Sequence, residues 1–155
     1  MTSSAPAIVN RQRRVALSTA RLARSAGCAL AAVGRAESEV EILVVDDAEI
    51  AELNARFLGA EGPTDVLAFP LELSTSDPGL LGQVVISAQT AQRQARRAGV
   101  TLAMEMDLLA THGILHLVGY DDRDPVEARV MHRRAREILD AGARMPARLW
   151  KGLLP

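Results

Sequence analysis

The chain has 155 residues, which is typical of one domain that buries its own core, and its hydrophobic share of 48% is ordinary for a globular protein. A net charge of -1 excludes the overall basic field that marks many nucleic-acid-binding proteins. The single cysteine, Cys28, excludes an internal disulfide. With no secretory signal or long apolar span, we expect one domain over residues 1–155, in the cytoplasm and without a membrane partner.

The N-terminal segment predicts a short strand followed by a long helix. Residues 7–9 have the apolar, β-branched character of a strand, whereas residues 1–5 are small and polar and should fray. Apolar residues recur along one face from residue 11 to residue 33, which predicts a helix. Three arginines lie away from that stripe and are expected to face solvent: Arg14, Arg21 and Arg24.

Two further strands and a helix are predicted in the next part of the chain. Residues 39–45 pass from alternation to an apolar β-branched run, which is typical of a strand that becomes buried. Asp46 or Asp47 then caps a helix that Gly59 ends, so the acidic residues there have a structural explanation. Residues 64–70 form a strand with proline at both boundaries, which limits pairing at its ends.

The middle of the chain predicts a loop, a strand and a capped helix. Residues 72–80 are rich in turn-forming side chains and should form an exposed loop. Residues 81–86 follow as the last strand, and Ser87 caps a helix over residues 88–98 that Gly99 ends.

The C-terminal half predicts two helices. Residues 102–118 are apolar on several sides, so this helix should be central, and it is too short and too charged for a membrane span. The segment 124–127 resembles a capping box with proline at the first helical position, opening a helix to about residue 141 that Gly142 ends. Together these elements predict an α+β fold: a single domain with a small mixed sheet of about four strands packed with about five helices.

The central helix carries two histidines, His112 and His116, whose spacing places both rings on one face, one turn apart. Gly119 then marks the end of the helix, and either Asp121 or Asp122 could return a carboxylate to the two rings. Two imidazoles and a carboxylate are a common zinc ligand set. The competing interpretation is that the histidines are hydrogen-bonded core residues, but two such rings on one apolar helix favour a metal site.

Two families share this spacing. The pattern resembles that of the metzincin proteases, but Gly113 stands where those enzymes have their glutamate base. It matches more closely the YbeY family of metal-dependent endoribonucleases, whose motif His-Gly-x-Leu-His-Leu-x-Gly-Tyr-Asp-His is matched over residues 112–121. Two further blocks, residues 53–70 and residues 81–87, resemble that family in the same order.

The resemblance to the YbeY family implies a single-strand-specific endoribonuclease that hydrolyses phosphodiester bonds with a zinc-bound water. Its expected role is maturation of the 3′ end of small-subunit rRNA and ribosome quality control. The expected partners are rRNA and the ribosome or ribosomal proteins. It also implies one zinc ion per chain, held by His112, His116 and Asp122. Asp121 is the alternative third ligand, and His132 is a more distant one that should face solvent.

Three departures from the family pattern bear on activity. Asp122 replaces the third histidine, Leu58 replaces a functional arginine, and Gln83 replaces an aspartate. Arg56 or Arg123 could restore the missing cation, although Arg56 lies two helical positions away and should point elsewhere. The sequence indicates no general base, because glycine stands at position 113, where the metzincin proteases have their glutamate base.

These departures keep two other functions open. One is a catalytically weakened or non-catalytic ribosome-associated factor with a structural metal, favoured by Leu58 and Asp122. The other is a metzincin-like metalloprotease, disfavoured by Gly113. The catalytic residues beyond the metal ligands and the oligomeric state do not follow from the sequence.

Overall fold

The computed structural model describes residues 6–71, 79–142 and 149. Within these ranges the chain forms four strands and five helices. In chain order they are β1 (Ala7–Asn10), α1 (Thr19–Ala32), β2 (Glu39–Val45), α2 (Asp47–Leu58), β3 (Val66–Pro70), β4 (Leu80–Ser87), α3 (Ala88–Ala98), α4 (Leu102–Leu117) and α5 (Pro125–Gly142). Residues 1–5, expected to fray, and most of the expected loop 72–80 lie outside the described residues.

The four strands form one mixed sheet in the order β1-β2-β4-β3. β1, β2 and β4 run parallel, and β3 runs antiparallel to β4 at the edge of the sheet. The edge position suits β3 because it ends in Pro70, which cannot donate a backbone hydrogen bond. The predicted α+β domain with a mixed sheet of four strands and five helices is therefore confirmed.

α4 is the central helix, as predicted. It contacts β3 and β4 of the sheet and also packs against α1, α3 and α5. Twelve of its residues are buried, so its surface is apolar nearly all round. No helix in the described part of the chain is both long and apolar enough to cross a membrane.

The first helix begins later than the sequence predicts. α1 starts at Thr19 rather than near residue 11, and Ser18 caps it by accepting a hydrogen bond from the Arg21 amide. The Gln12 side chain closes a turn before it, accepting from the Val15 amide at 2.9 Å and donating to the Val15 carbonyl at 2.9 Å. Because the Gln12 side chain already pairs with the Val15 amide and carbonyl, this backbone segment does not need helical hydrogen bonds, and the helix begins later.

Arg21 faces solvent only in part, with a side chain that is 41% exposed. Its guanidinium lies 2.9 Å from the Asp107 carboxylate of α4, whose side chain is only 8% exposed. Burial raises the pKa of Asp107, and Arg21 opposes that shift. Arg14 and Arg24 are exposed, as predicted.

The predicted helix boundaries in the middle of the chain are confirmed. Asp46 and Ser87 cap α2 and α3, and Gly59 and Gly99 end them with φ angles of 64° and 70°. Asp47 accepts hydrogen bonds from two hydroxyls and a guanidinium of neighbouring elements. The acidic cluster at the start of α2 is therefore structural.

Candidate metal centre

The end of α4 and the loop that follows it bring the candidate ligands together. Val118 closes the helix, and Gly119 has a φ of 105°, a conformation that favours glycine. The Tyr120 amide then donates to the Leu115 carbonyl at 3.0 Å. This turn sends the chain back past the last helical turn, so Asp122 reaches the Nε2 atoms of both histidine rings.

Three ligand atoms converge at this point. His112 Nε2 lies 3.1 Å from His116 Nε2, and Asp122 Oδ2 lies 3.4 Å from the first nitrogen and 3.6 Å from the second. Tetrahedral zinc with bonds of about 2.0–2.1 Å separates neighbouring ligand atoms by about 3.3–3.4 Å. Since the three distances bracket that value, these residues fit a tetrahedral metal ion with one position left for another ligand.

The protonation of the two histidines also suits a cation. His116 Nδ1 lies 3.1 Å from the Tyr120 carbonyl, to which it can only donate, so Nε2 keeps its lone pair toward the cluster. The His112 side chain is 7% exposed, and burial, aided by the neighbouring His116, lowers its pKa to about 4. His112 Nε2, His116 Nε2 and a carboxylate oxygen of Asp122 thus form a group that could hold a metal.

Asp121, the alternative third ligand, has another role in the structure. Its Oδ1 accepts hydrogen bonds from the Asp122 and Arg123 amides, and its Oδ2 lies 2.7 Å from Arg123 Nη2. The hydrogen bond from Arg123 lowers the pKa of Asp121 to about 2. Asp121 therefore shapes the loop and holds Arg123, while Asp122 turns toward the histidines.

His132 does not face solvent as the sequence suggested. Its ring stacks on that of His112, with ring centres 6.4 Å apart and planes inclined by 26°. Burial lowers the pKa of His132, and its Nδ1 is buried with no hydrogen-bond partner among the described residues. His132 thus packs beside the cluster without being one of the three residues that converge.

Gly113 points away from the cluster and against the sheet. A Cβ atom at this position would lie 2.5 Å from Val84 Cγ1 of β4, closer than carbon atoms approach each other. A glutamate therefore has no room at position 113. The glycine reflects the close approach of α4 to β4.

Sequence reasoning missed a second buried acid on α4. Glu105 is buried, and desolvation together with the charge of Asp65 raises its pKa to about 7. Asp65 accepts hydrogen bonds from the Gln94 side chain and the Val66 amide. Its burial could have been predicted, because Glu105 lies within a mostly apolar helix.

An open cleft of about 600 Å³ lies beside His116. The loop after α4 forms one wall, and β3 with the end of α2 forms the other. Its lining residues are Leu58, Val66, Leu67, Ala68, Pro70, His116, Gly119, Tyr120, Asp121 and Arg123.

Of the three departures noted in the sequence, Leu58 and Asp122 lie at this cleft or its metal cluster. Gln83 lies in β4 opposite Phe69 and does not line the cleft. Arg56 does not line it either, since its guanidinium carbon lies 5.5 Å from the Phe57 ring centre. The only guanidinium at the cleft among the described residues is that of Arg123.

Comparison with known proteins identifies a family. The family described as Endoribonuclease YbeY matches residues 7–142. The chain is 48% identical over 109 residues to the Endoribonuclease YbeY of Thermobifida fusca, covering 66% of this chain and 70% of the relative. It is 42% identical over 144 residues to that of Leifsonia xyli subsp. xyli, covering 88% of this chain and 94% of the relative.

A solved structure shares the fold. The solution structure of TM1509 from Thermotoga maritima superposes with a TM-score of 0.62 at 24% identity, covering 94% of this chain and 89% of that one. The fold, the sequence match over nearly all the described residues and the relatives agree, and the chain belongs to the YbeY endoribonuclease family.

Proposed function

We propose that this chain is a metal-dependent endoribonuclease that uses one zinc ion bound by His112, His116 and Asp122. The observation that carries the proposal is the convergence of two imidazole nitrogens and a carboxylate oxygen within 3.1–3.6 Å at the wall of an open cleft. A zinc ion in this site supplies Lewis acidity to a phosphoryl oxygen and makes water a nucleophile near neutral pH.

The protein side chains prepare the site for that chemistry. The hydrogen bond from His116 Nδ1 to the Tyr120 carbonyl fixes the ring orientation and its tautomer. Burial favours the neutral form of His112 at pH 7, so no positive charge on this ring opposes a cation. Asp122 is less buried than His112, with side chains that are 39% and 7% exposed respectively.

The proposed substrate is single-stranded RNA, and the proposed role is maturation of the 3′ end of small-subunit rRNA and ribosome quality control. The family membership supports this role, as do the relatives named Endoribonuclease YbeY. The proposal includes a cytoplasmic location, contact with the ribosome or its proteins, and one domain over residues 1–155 that carries the activity.

The protease alternative gains nothing from the structure. That chemistry would use a glutamate beside the first histidine, and position 113 packs against Val84 instead. The non-catalytic alternative remains an outcome of the following test.

The test is cleavage of a small-subunit rRNA fragment with an extended 3′ end, comparing wild type with His116→Ala purified identically. Cleavage by wild type alone supports the proposal. Equal or absent cleavage in both preparations contradicts it and favours a ribosome-bound factor.

A second comparison tests the ligand set by zinc content. Asp122→Asn should lower zinc affinity by about tenfold or more, because it replaces an anionic ligand by a neutral amide. Asp121→Asn is the matched control, since it makes the same change one residue earlier, and it should retain one zinc per chain. Equal zinc affinity in the two variants would contradict the assignment of Asp122.

A further inference from the structure

The carboxylate and the guanidinium that line the cleft beside the metal cluster, those of Asp121 and Arg123, both lie on the wall formed by the loop after α4. Across from His116 the cleft wall is apolar, with β3 and Leu58, whose side chain is exposed although it is aliphatic. A cationic side chain that binds an RNA phosphate in this cleft therefore has to lie on the other wall. Among the described lining residues, the only arginine or lysine is Arg123.

Arg123 is held by Asp121, two residues earlier in the loop. Its Nε donates to Asp121 Oδ2 at 2.8 Å, and its Nη2 lies 2.7 Å from the same oxygen. The other oxygen of Asp121 accepts the Arg123 backbone amide at 3.2 Å. One carboxylate thus fixes both the backbone and the side chain of Arg123.

The ion pair leaves donors for a ligand. A guanidinium has five N–H groups, and Asp121 engages the Nε and Nη2 side. The Nη1 atom makes no hydrogen bond with the described residues, and the Arg123 side chain is 88% exposed. An exposed pair of this kind contributes little to folding stability, so removing the Arg123 charge should leave the fold intact.

The position of Arg123 in the chain adds a second constraint. It directly follows Asp122, whose carboxylate faces the two histidines. A phosphate contacted by Arg123 would therefore lie close to the metal cluster. Guanidinium groups bind phosphate oxygens through paired hydrogen bonds and stabilise charge that develops on phosphorus.

We propose that Arg123, presented by Asp121, is the residue that binds an RNA phosphate in the cleft beside the His112, His116 and Asp122 cluster. This inference rests on the proposed function and deepens it. It also explains how a phosphate can be bound although position 58 is leucine, because the Arg123 guanidinium lies on the opposite wall of the same cleft.

The experiment compares Arg123→Gln with Arg129→Gln, which removes the same charge from an exposed position on α5 outside the cleft. Each variant is assayed for zinc content, for thermal stability, and for kcat/KM on a single-stranded RNA fragment over a range of salt concentrations. Arg123→Gln should retain one zinc per chain and lose about tenfold or more in kcat/KM. Its salt dependence, as a log–log slope, should weaken by about 0.7, the value for one phosphate contact on a single strand.

The double variant Leu58→Arg with Arg123→Gln provides the reverse test. Since Leu58 lines the same cleft, an arginine there should recover part of the lost kcat/KM. Loss of activity in Arg123→Gln but not in Arg129→Gln, with partial recovery in the double variant, supports the proposal.

Two outcomes separate this inference from the proposed function. If wild type cleaves, His116→Ala does not, and Arg123→Gln matches Arg129→Gln, then the role of Arg123 is overturned while the nuclease stands. If wild type and His116→Ala behave identically, the proposed function falls and the inference falls with it.

Discussion

Replacing Gly113 by alanine should destabilise the protein, although alanine is the better helix former. The added Cβ would lie 2.5 Å from Val84 Cγ1 and 3.0 Å from Val84 Cγ2. Val84 is buried and pairs with Ile42 and Ala68 of the two neighbouring strands, so it has little freedom to move. Overpacking of this kind lowers the free energy of unfolding by about 1–3 kcal/mol, and the higher helix propensity of alanine raises it by about 1 kcal/mol.

We therefore expect Gly113→Ala to lower the free energy of unfolding by about 0–2 kcal/mol. Urea denaturation followed by circular dichroism in the presence of a chelator measures this without metal linkage. Gly27→Ala on α1 is the matched control, because its Cβ would meet only Pro6 Cδ at 3.7 Å, and it should stabilise by about 0.5–1 kcal/mol. Combining Gly113→Ala with Val84→Ala should cost less than the two single changes added together.

A Gly113→Ala variant that is stabilised as much as Gly27→Ala would refute the argument, because the helix propensity would then be gained without an overpacking cost. It would mean that α4 is free to move away from β4. The position of His112 on that helix would then not depend on the close helix–sheet contact.

Two further predictions concern buried charges on α4. Glu105→Gln should raise the free energy of unfolding by about 1–3 kcal/mol at pH 8, because the folded-state pKa of about 7 exceeds the ordinary value of 4.5 and stability is lost as pH rises through this window. The gain should disappear near pH 4 in urea denaturation, and a gain that is independent of pH would contradict it. Arg21→Ala should cost about 1–3 kcal/mol at neutral pH by leaving the buried Asp107 carboxylate unpaired, whereas Arg24→Ala should cost little. Equal stability of those two arginine variants in thermal denaturation would show that the ion pair contributes nothing.

Local signals predicted much of the secondary structure. The helix from Ser87 to Gly99 is an example, because its capping serine and its left-handed glycine act within a few residues of the chain. The predicted start of α1, near residue 11, was wrong. The Gln12 side chain completes an alternative turn there, and the apolar periodicity does not reveal it. The strand order β1-β2-β4-β3 depends on contacts between distant segments and was not predicted.

In the candidate site, too, local features were predicted from the sequence, and those that depend on tertiary packing were not. The spacing of His112 and His116 predicted that their rings converge, since one helix fixes that geometry. The family resemblance, and not the spacing, favoured Asp122 over Asp121. The structure gives a physical reason for the difference, because Asp121 is occupied by Arg123. The stacking of His132 on His112 required the packing of α5 against α4, which no local pattern contains.

The most direct test of the account is to remove all metal from the wild-type protein and add zinc back while following cleavage of a single-stranded rRNA fragment. The account predicts that cleavage is absent without metal, rises with added zinc and reaches its plateau at one zinc per chain, and that His116→Ala stays inactive throughout. Cleavage that does not depend on zinc, or one bound zinc per chain without any cleavage, would contradict it.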